Sequence, residues 1–198
     1  MEDLASDTIE ACRRGDVQAF AAVVAHYEKP LFAYVYRLMG GRGGVDPEDV
    51  LQEVFIKAYC RIGTFDPARG SRFTSWIYAI ARNHCISLMR KNNPRFSDVE
   101  SEEIADERSP SPHESACASE TSGLIADAVA ELDEPFRSAF ILRHYEDMPY
   151  EDIAAIMECN VGTVKSRVAR ARERLAVKLS FLCSGPSVGA GRGRSERT

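Results

Sequence analysis

The sequence predicts an all-α protein made of two small helical domains joined by a flexible linker. Apolar residues recur at spacings of three and four through most of the 198-residue chain, which is the period of helices rather than strands. Residues 93–120 are rich in Ser, Pro and Glu and contain almost no large apolar side chains. They therefore divide the chain into helical domains at 1–92 and 121–182, and the Gly- and Arg-containing residues 183–198 are expected to be a disordered tail.

Two helices are predicted at the start of the first domain. The first is expected from about Thr8 to Ala25 and the second from about Glu28 to Met39. Glycines at 40–44 end the second helix. This cluster is interpreted as a turn and not a phosphate loop, because it lacks the Lys-Ser/Thr ending and a preceding strand.

The third helix has a well-marked start. Asp46 can cap backbone N–H groups, and Pro47 suits the first helical position. One face of this helix is apolar and predicted to be buried, comprising Leu51, Val54, Phe55, Ala58 and Ile62. Asp49, Gln52 and Glu53 share another face, and the residues alone favour a solvated surface there.

A fourth helix is predicted from about Phe73 to Lys91, after a loop at 63–71 that contains Gly and Asp-Pro. Trp76 repeats at helical spacing with Ile77 and Ile80, which favours core packing for the indole. The charges from position 72 to 92 are all positive: Arg72, Arg82, Arg90 and Lys91.

The second domain is predicted to begin near Ser122 and to contain a helix-turn-helix after position 149. Apolar side chains there follow spacings of four and three: Ile153, Met157, Val161, Val164, Val168, Ala171 and Leu175. Ala154 and Ala155 are small where the two helices are expected to approach closely. Gly162 and Thr163 are expected to permit the turn and cap the second helix.

The second of these helices has the composition of a DNA-reading helix. Its outer face presents Lys165, Ser166, Ala169 and Arg170, and further arginines flank it. A helix fits the major groove, Arg can bind a guanine edge with two hydrogen bonds, and flanking cations bind phosphates. The alternative, a basic surface helix in a generic bundle, explains the turn and the small residues less well.

The formal net charge of −5 conceals this basic surface, because the acids concentrate in the linker. Six cysteines lie far apart without a CxxC pair, so we expect reduced thiols, no metal site and no cofactor. The acidic start lacks the apolar core of a signal peptide, and no apolar run is long enough to span a membrane. We therefore expect a cytoplasmic protein without direct membrane insertion.

Three segments together resemble a known family. YEDIAAIMECNVGTVKSRVARARERL resembles the −35-reading region of extracytoplasmic-function sigma factors, the small two-domain branch of the sigma-70 family, and particularly its envelope-stress type. DPEDVLQEVFIKAY is similar to the family's polymerase-binding helix, and FTSWIYAIARN to its −10-reading helix. The resemblance implies that residues 1–92 are sigma region 2, that residues 121–182 are sigma region 4, and that the chain directs transcription initiation without catalysing a reaction.

The resemblance also assigns binding residues. Those implied to bind the clamp helices of the largest polymerase subunit are Asp49, Gln52, Glu53, Phe55 and Lys57. Those implied to melt and read the −10 element, including a flipped base in the 63–72 loop, are Phe65, Arg72, Phe73, Trp76, Arg82 and Asn83. In region 4, the implied base-facing residues are Lys165, Ser166, Ala169 and Arg170, and the implied phosphate contacts are Thr163, Arg167, Arg172 and Arg174.

The implied partners are core polymerase (including the flap of its second-largest subunit), promoter DNA and an inhibitory anti-sigma factor. At Ala169 the chain departs from the envelope-stress type, which carries a large aromatic there, so the resemblance does not define its −35 sequence. Two alternatives are a free-standing helix-turn-helix regulator and an enzyme acting on nucleic acid. The first domain argues against the former, and the absence of a P-loop or nucleophile–base constellation argues against the latter.

Overall fold

The computed structural model describes residues 3–40, 45–67, 72–92 and 120–183, and it confirms the all-α fold. The described residues form eight α-helices and a short 3-10 turn at Ile62–Thr64. The α-helices are α1 (Ser6–Arg13), α2 (Val17–Met39), α3 (Pro47–Arg61), α4 (Phe73–Asn92), α5 (Glu120–Ala130), α6 (Glu134–His144), α7 (Tyr150–Ile156) and α8 (Val161–Cys183). Residues 93–119 of the predicted linker (93–120) and residues 184–198 of the predicted tail (183–198) lie outside the described residues.

The predicted boundary between the first two helices is wrong. The chain breaks at Gly15, whose φ of +90° favours glycine, and not near residues 26–27. Asp16 then caps α2 by accepting hydrogen bonds from the backbone N–H groups of Gln18 and Ala19. The helix continues through Pro30, although proline cannot donate a backbone hydrogen bond, because its apolar face stays in the core on both sides.

The core of the first helical group lies between α2, α3 and α4. The apolar face predicted for α3 is confirmed, since all five of its residues are buried. Asp46 caps that helix as expected, accepting from the Glu48 N–H. Three tyrosines fill the centre without measurable exposure: Tyr27, Tyr34 and Tyr78.

In the second group, α6 and α7 pack against α8, and the helix-turn-helix is formed as predicted. The buried side chains of both groups belong to one continuous apolar core. The turn chemistry of the helix-turn-helix differs from the prediction. Glu158 adopts the left-handed conformation (φ +52°), and the Asn160 side chain, not Gly162-Thr163, caps α8. Only one of the two small residues lies in the interface, because Ala154 is buried whereas Ala155 is exposed.

The two groups pack against each other. Helix α4 contacts α7, and α2 contacts α5 and α6. Gly40, which ends α2 with a φ of +64°, approaches Ala130 of α5 so closely that an added Cβ would lie 3.0 Å from the alanine methyl. Within the described residues, no helix is both long and apolar enough to cross a membrane.

Candidate nucleic-acid and protein interfaces

Helix α8 presents one face to the protein and the opposite face to solvent. Its inner side chains, Val164, Val168, Ala171 and Leu175, are at most 5% exposed. Lys165, Ser166 and Ala169 are exposed on the other side, Arg170 is half-buried there, and Arg172 is exposed on the flank. The predicted base-facing residues therefore lie together on a basic, accessible helix face, which we call the α8 surface.

The start of α8 is fixed by its cap. Asn160 Oδ1 accepts from the Thr163 N–H (2.7 Å) and from the Thr163 hydroxyl (3.0 Å). Arg167 lies on the flank, with Nη1 3.6 Å from Cys159 Sγ. The Lys165 ammonium lies 5.7 Å from the centre of the Tyr150 ring on α7. These contacts orient the first turn of the α8 surface.

Arg174 has a different environment from the other predicted phosphate contacts. Its guanidinium is 2.6 Å from Asp133 Oδ2 and 4.3 Å from the centre of the Phe136 ring. Both partners lie at the start of α6, so Arg174 connects the two helices. It remains half exposed.

The predicted −10 aromatics form one cluster at the start of α4. Ring centres lie 5.2 Å apart for Phe65 and Phe73, 5.7 Å for Phe65 and Trp76, and 5.2 Å for Phe73 and Trp76. Phe65 and Phe73 are only 3% and 1% exposed, whereas Trp76 is partly exposed. The two buried phenylalanines thus pack against the inner side of the indole.

The predicted −10 cations contact the second helical group. Arg72 Nη1 is 2.9 Å from Asp152 Oδ2 of α7. Arg82 Nη2 is 2.9 Å from Glu134 Oε1 of α6. Asn83 is exposed one residue further along α4. The structure therefore places Arg72 directly before α4 and the other two residues on it, and both arginines form ion pairs across the group boundary.

The polar face of α3 is exposed and borders an apolar groove. Asp49, Gln52 and Glu53 are all exposed, while Phe55 is 9% exposed. Lys57 pairs with Glu53 at 3.3 Å on the same face. The groove has a volume of about 540 Å³ and is lined by Val24, Glu28, Lys29, Phe32, Glu48, Leu51, Gln52 and Phe55. We call these exposed residues with the groove the α3 surface.

His84 adjoins this surface, although sequence analysis assigned it no role there. It is 8% exposed, and its Nε2 lies 3.1 Å from Glu53 Oε2. Burial, reinforced by the nearby Lys57, lowers the pKa of His84 below its ordinary 6.5, and Glu53 acts in the opposite direction. Periodicity carries no signal of this contact, because the two residues belong to different helices.

The contacts of Glu146 were also not predicted from the sequence. Its carboxylate accepts a hydrogen bond from the Tyr78 hydroxyl at 2.8 Å and lies 3.5 Å from Arg37 Nη1. Burial raises the pKa of Glu146 above its ordinary value, while the hydrogen bond from Tyr78 and the charge of Arg37 oppose that rise. These contacts connect α2 and α4 to the turn after α6.

Among the described residues, no group of three or more His, Cys, Asp or Glu side chains could hold a metal ion. Cys12 and Cys85 are buried, Cys159 is partly exposed and Cys60 is exposed. Burial raises the pKa of Cys85 to about 12, which keeps this thiol protonated.

Comparison with known proteins gives a consistent result. Residues 23–95 match the family Sigma-70 region 2, and residues 122–175 match Sigma-70, region 4. RNA polymerase sigma-H factor of Pseudomonas aeruginosa is 36% identical, with 84% of this chain and 89% of the relative covered. ECF RNA polymerase sigma factor SigW of Bacillus subtilis is 32% identical, with 92% and 100% covered. The sigma factor RpoE of Bartonella quintana, solved in complex with the anti-sigma factor NepR, is 31% identical with a TM-score of 0.62, covering 83% of this chain and 98% of that one.

Proposed function

The chain belongs to the extracytoplasmic-function branch of the sigma-70 family, and from that premise we propose that it directs core RNA polymerase to specific promoters. The observation that carries the proposal is that one chain presents both the basic α8 surface and the polar and apolar α3 surface. The first suits duplex DNA and the second suits a protein partner. A subunit that connects polymerase to DNA needs both.

We assign −35 recognition to the α8 surface in residues 121–182. Lys165, Ser166, Ala169 and Arg170 are proposed to face the bases, because the helix can enter the major groove with that side foremost. Thr163, Arg167, Arg172 and Arg174 are proposed to contact phosphates. Thr163 is suited to this through its position in the capped first turn of α8, where backbone N–H groups favour anions.

We assign −10 recognition to α4 in residues 1–92. The partly exposed Trp76 is proposed to stack on an unpaired base, supported from beneath by Phe65 and Phe73. Arg72, Arg82 and Asn83 are proposed to follow the opened strand. Capture of the strand offsets the cost of unpairing, so opening needs no ATP and the chain itself catalyses nothing.

We assign polymerase binding to the α3 surface. Asp49, Gln52, Glu53 and Lys57 are proposed to contact the clamp helices of the largest subunit, with Phe55 at the floor of the adjoining groove. Region 4 is proposed to contact the flap of the second-largest subunit. This assignment replaces the solvated-surface interpretation, because a groove lined by Val24, Phe32 and Leu51 offers apolar area that a partner can bury.

An anti-sigma factor is a further proposed partner, supported by the Bartonella quintana relative, whose structure contains one. It is expected to cover the α3 and α8 surfaces. The cytoplasm, where polymerase acts, is the proposed location.

The test is run-off transcription with core polymerase on promoters identified by mapping transcript starts after overexpression. We expect specific initiation from the natural chain and a large loss in Arg170→Ala with polymerase binding retained. Arg14→Ala, at an exposed residue after α1, is the matched control. Tight specific DNA binding without polymerase would favour a free-standing regulator instead.

A further inference from the structure

We propose that Asp3 is a positioning residue for −10 recognition. Its carboxylate caps α4, the helix proposed to read the −10 strand, although Asp3 is distant in sequence. The residue that directly precedes α4, where a helix cap normally stands, is Arg72. The inference rests on the role proposed for α4. It assigns Asp3, which precedes α1, to the DNA-opening machinery, although Asp3 itself need not touch DNA.

The Asp3 carboxylate makes the contacts of a helix cap. Oδ2 accepts from the Phe73 N–H at 3.2 Å, and Oδ1 accepts from the Thr74 N–H at 3.0 Å. Oδ1 also accepts from the Thr74 hydroxyl at 2.8 Å. The two N–H groups are at the first two positions of α4, where an α-helix offers no internal acceptor. A carboxylate there also interacts favourably with the helix dipole.

The other well-capped helices are capped by the residue that precedes them. Asp16, Asp46 and Asn160 serve α2, α3 and α8 in this way. The corresponding residue of α4 is Arg72, whose carbonyl accepts the first helical bond from the Trp76 N–H. A guanidinium has no acceptor atom, so Arg72 cannot cap the helix with its own side chain. Asp3 supplies the missing acceptor from 70 residues away.

Contacts from two further residues fix the position of this cap. The Tyr27 hydroxyl lies 3.1 Å from Asp3 Oδ1 and 2.9 Å from Thr74 Oγ1, and Tyr27 is fully buried in α2. Arg72 Nε lies 3.8 Å from Asp3 Oδ2. The same carboxylate thus sets the start of α4 relative to α2 and holds the side chain that is proposed to engage the strand.

The test compares Asp3→Ala and Asp3→Asn in complex with core polymerase. The readout is affinity for a single-stranded −10 oligonucleotide taken from a mapped promoter, measured beside polymerase affinity and binding of −35 duplex. We expect Asp3→Ala to weaken strand capture about tenfold with the other two affinities unchanged, since a lost cap weakens a helix end substantially. Asp3→Asn is expected to weaken strand capture less, about threefold, because its single amide oxygen can still accept from Thr74 whereas its NH2 group cannot accept from the Phe73 N–H. Asp7→Ala, in the exposed first turn of α1, is the matched control.

Unchanged strand capture in Asp3→Ala would overturn the inference, and so would an equal fall in all three affinities. If Asp3→Ala does not fold, Thr74→Val removes the hydroxyl contacts with Asp3 and Tyr27 while both helix N–H groups stay capped, and it is expected to weaken strand capture about threefold. No change in strand capture would count against Asp3. A natural chain that captures no −10 strand with polymerase would instead overturn the proposed function.

Discussion

Arg82 of α4 and Glu134 of α6 form an ion pair across the two helical groups, with 2.9 Å between Nη2 and Oε1 and side chains only 12% and 8% exposed. Arg82 Nε also donates to Ser138 Oγ at 3.2 Å, and the Tyr34 hydroxyl lies 3.1 Å from the same oxygen. A cation proposed to follow the −10 strand is therefore part of a nearly buried polar network.

Removing the acid from this network is expected to destabilise the chain. Glu134→Ala leaves the Arg82 charge nearly buried without its carboxylate, and we expect a loss of about 2–3 kcal/mol in the free energy of unfolding. Urea denaturation measures this loss. The double variant Arg82→Met, Glu134→Met should recover most of it, because no unpaired charge remains. Asp127→Ala, at an exposed position of α5, is the control. Equal losses of stability in Glu134→Ala and Asp127→Ala would contradict the prediction.

The Arg72–Asp152 pair predicts a competition between α7 and the −10 strand. Strand phosphates can engage Arg72 fully only by displacing Asp152, which lies 2.9 Å away and is 15% exposed. Asp152→Asn should therefore raise the affinity of the isolated chain for a single-stranded −10 oligonucleotide by about threefold to tenfold. Fluorescence anisotropy at low salt measures it. Glu151→Gln, an exposed acid on the same helix, removes the same charge without the contact, so an equal gain there would show that net charge alone is responsible.

Features encoded by neighbouring residues were predictable from the sequence. The start of α3 followed from Asp46 and Pro47, and the buried face of α8 followed from its spacing. The break between α1 and α2 was missed, because the predicted first helix ran through Gly15, whose left-handed conformation ends α1.

Contacts between distant residues were not predictable in this way. Asp3 is 70 residues from the N–H group it caps, and Arg82 is 52 residues from Glu134. Each is an ordinary surface-type residue in its own segment. The burial of Phe65 and Phe73 beneath Trp76 likewise depends on how the loop folds back onto α4, which periodicity within one helix cannot reveal.

His84 predicts a dependence of stability on pH. Because burial and Lys57 lower its pKa in the folded chain, the unfolded chain binds a proton there at higher pH. The stability is fully present above the ordinary pKa of 6.5 and is lost as the pH falls through that value toward the lower folded pKa. We expect the thermal midpoint to fall between about pH 7.5 and about pH 5.5, and His84→Gln to reduce that fall.

His144 provides the comparison for this measurement. Partial desolvation of its ring at the surface, with the charges of Arg172 and Arg143 nearby, lowers the pKa of His144 as well. It therefore adds a second loss of stability as the pH falls. His144→Gln and the double variant separate the two contributions. An unchanged slope in His84→Gln would show that its pKa is not lowered in the folded chain.

The α8 surface separates residues proposed to read bases from those proposed to bind phosphates. Arg170 lies on the side that can face base edges, whereas Arg172 is exposed on the flank and Arg174 pairs with Asp133. A base contact discriminates between sequences, while a phosphate contact contributes equally to all of them and adds to the salt dependence of binding.

Arg170→Ala is therefore expected to weaken holoenzyme binding to its own −35 element by about 1–3 kcal/mol while leaving binding to a scrambled element nearly unchanged. Arg172→Ala should weaken both elements alike and reduce the salt slope by about one. Arg174→Ala should have a smaller effect on DNA, because its guanidinium is already paired with Asp133 and packed on Phe136. Titrations on both elements at several salt concentrations measure all three effects. If Arg170→Ala weakened the two elements equally, Arg170 would be a phosphate contact, and base reading would have to lie elsewhere on the exposed face, at Lys165, Ser166 or Ala169.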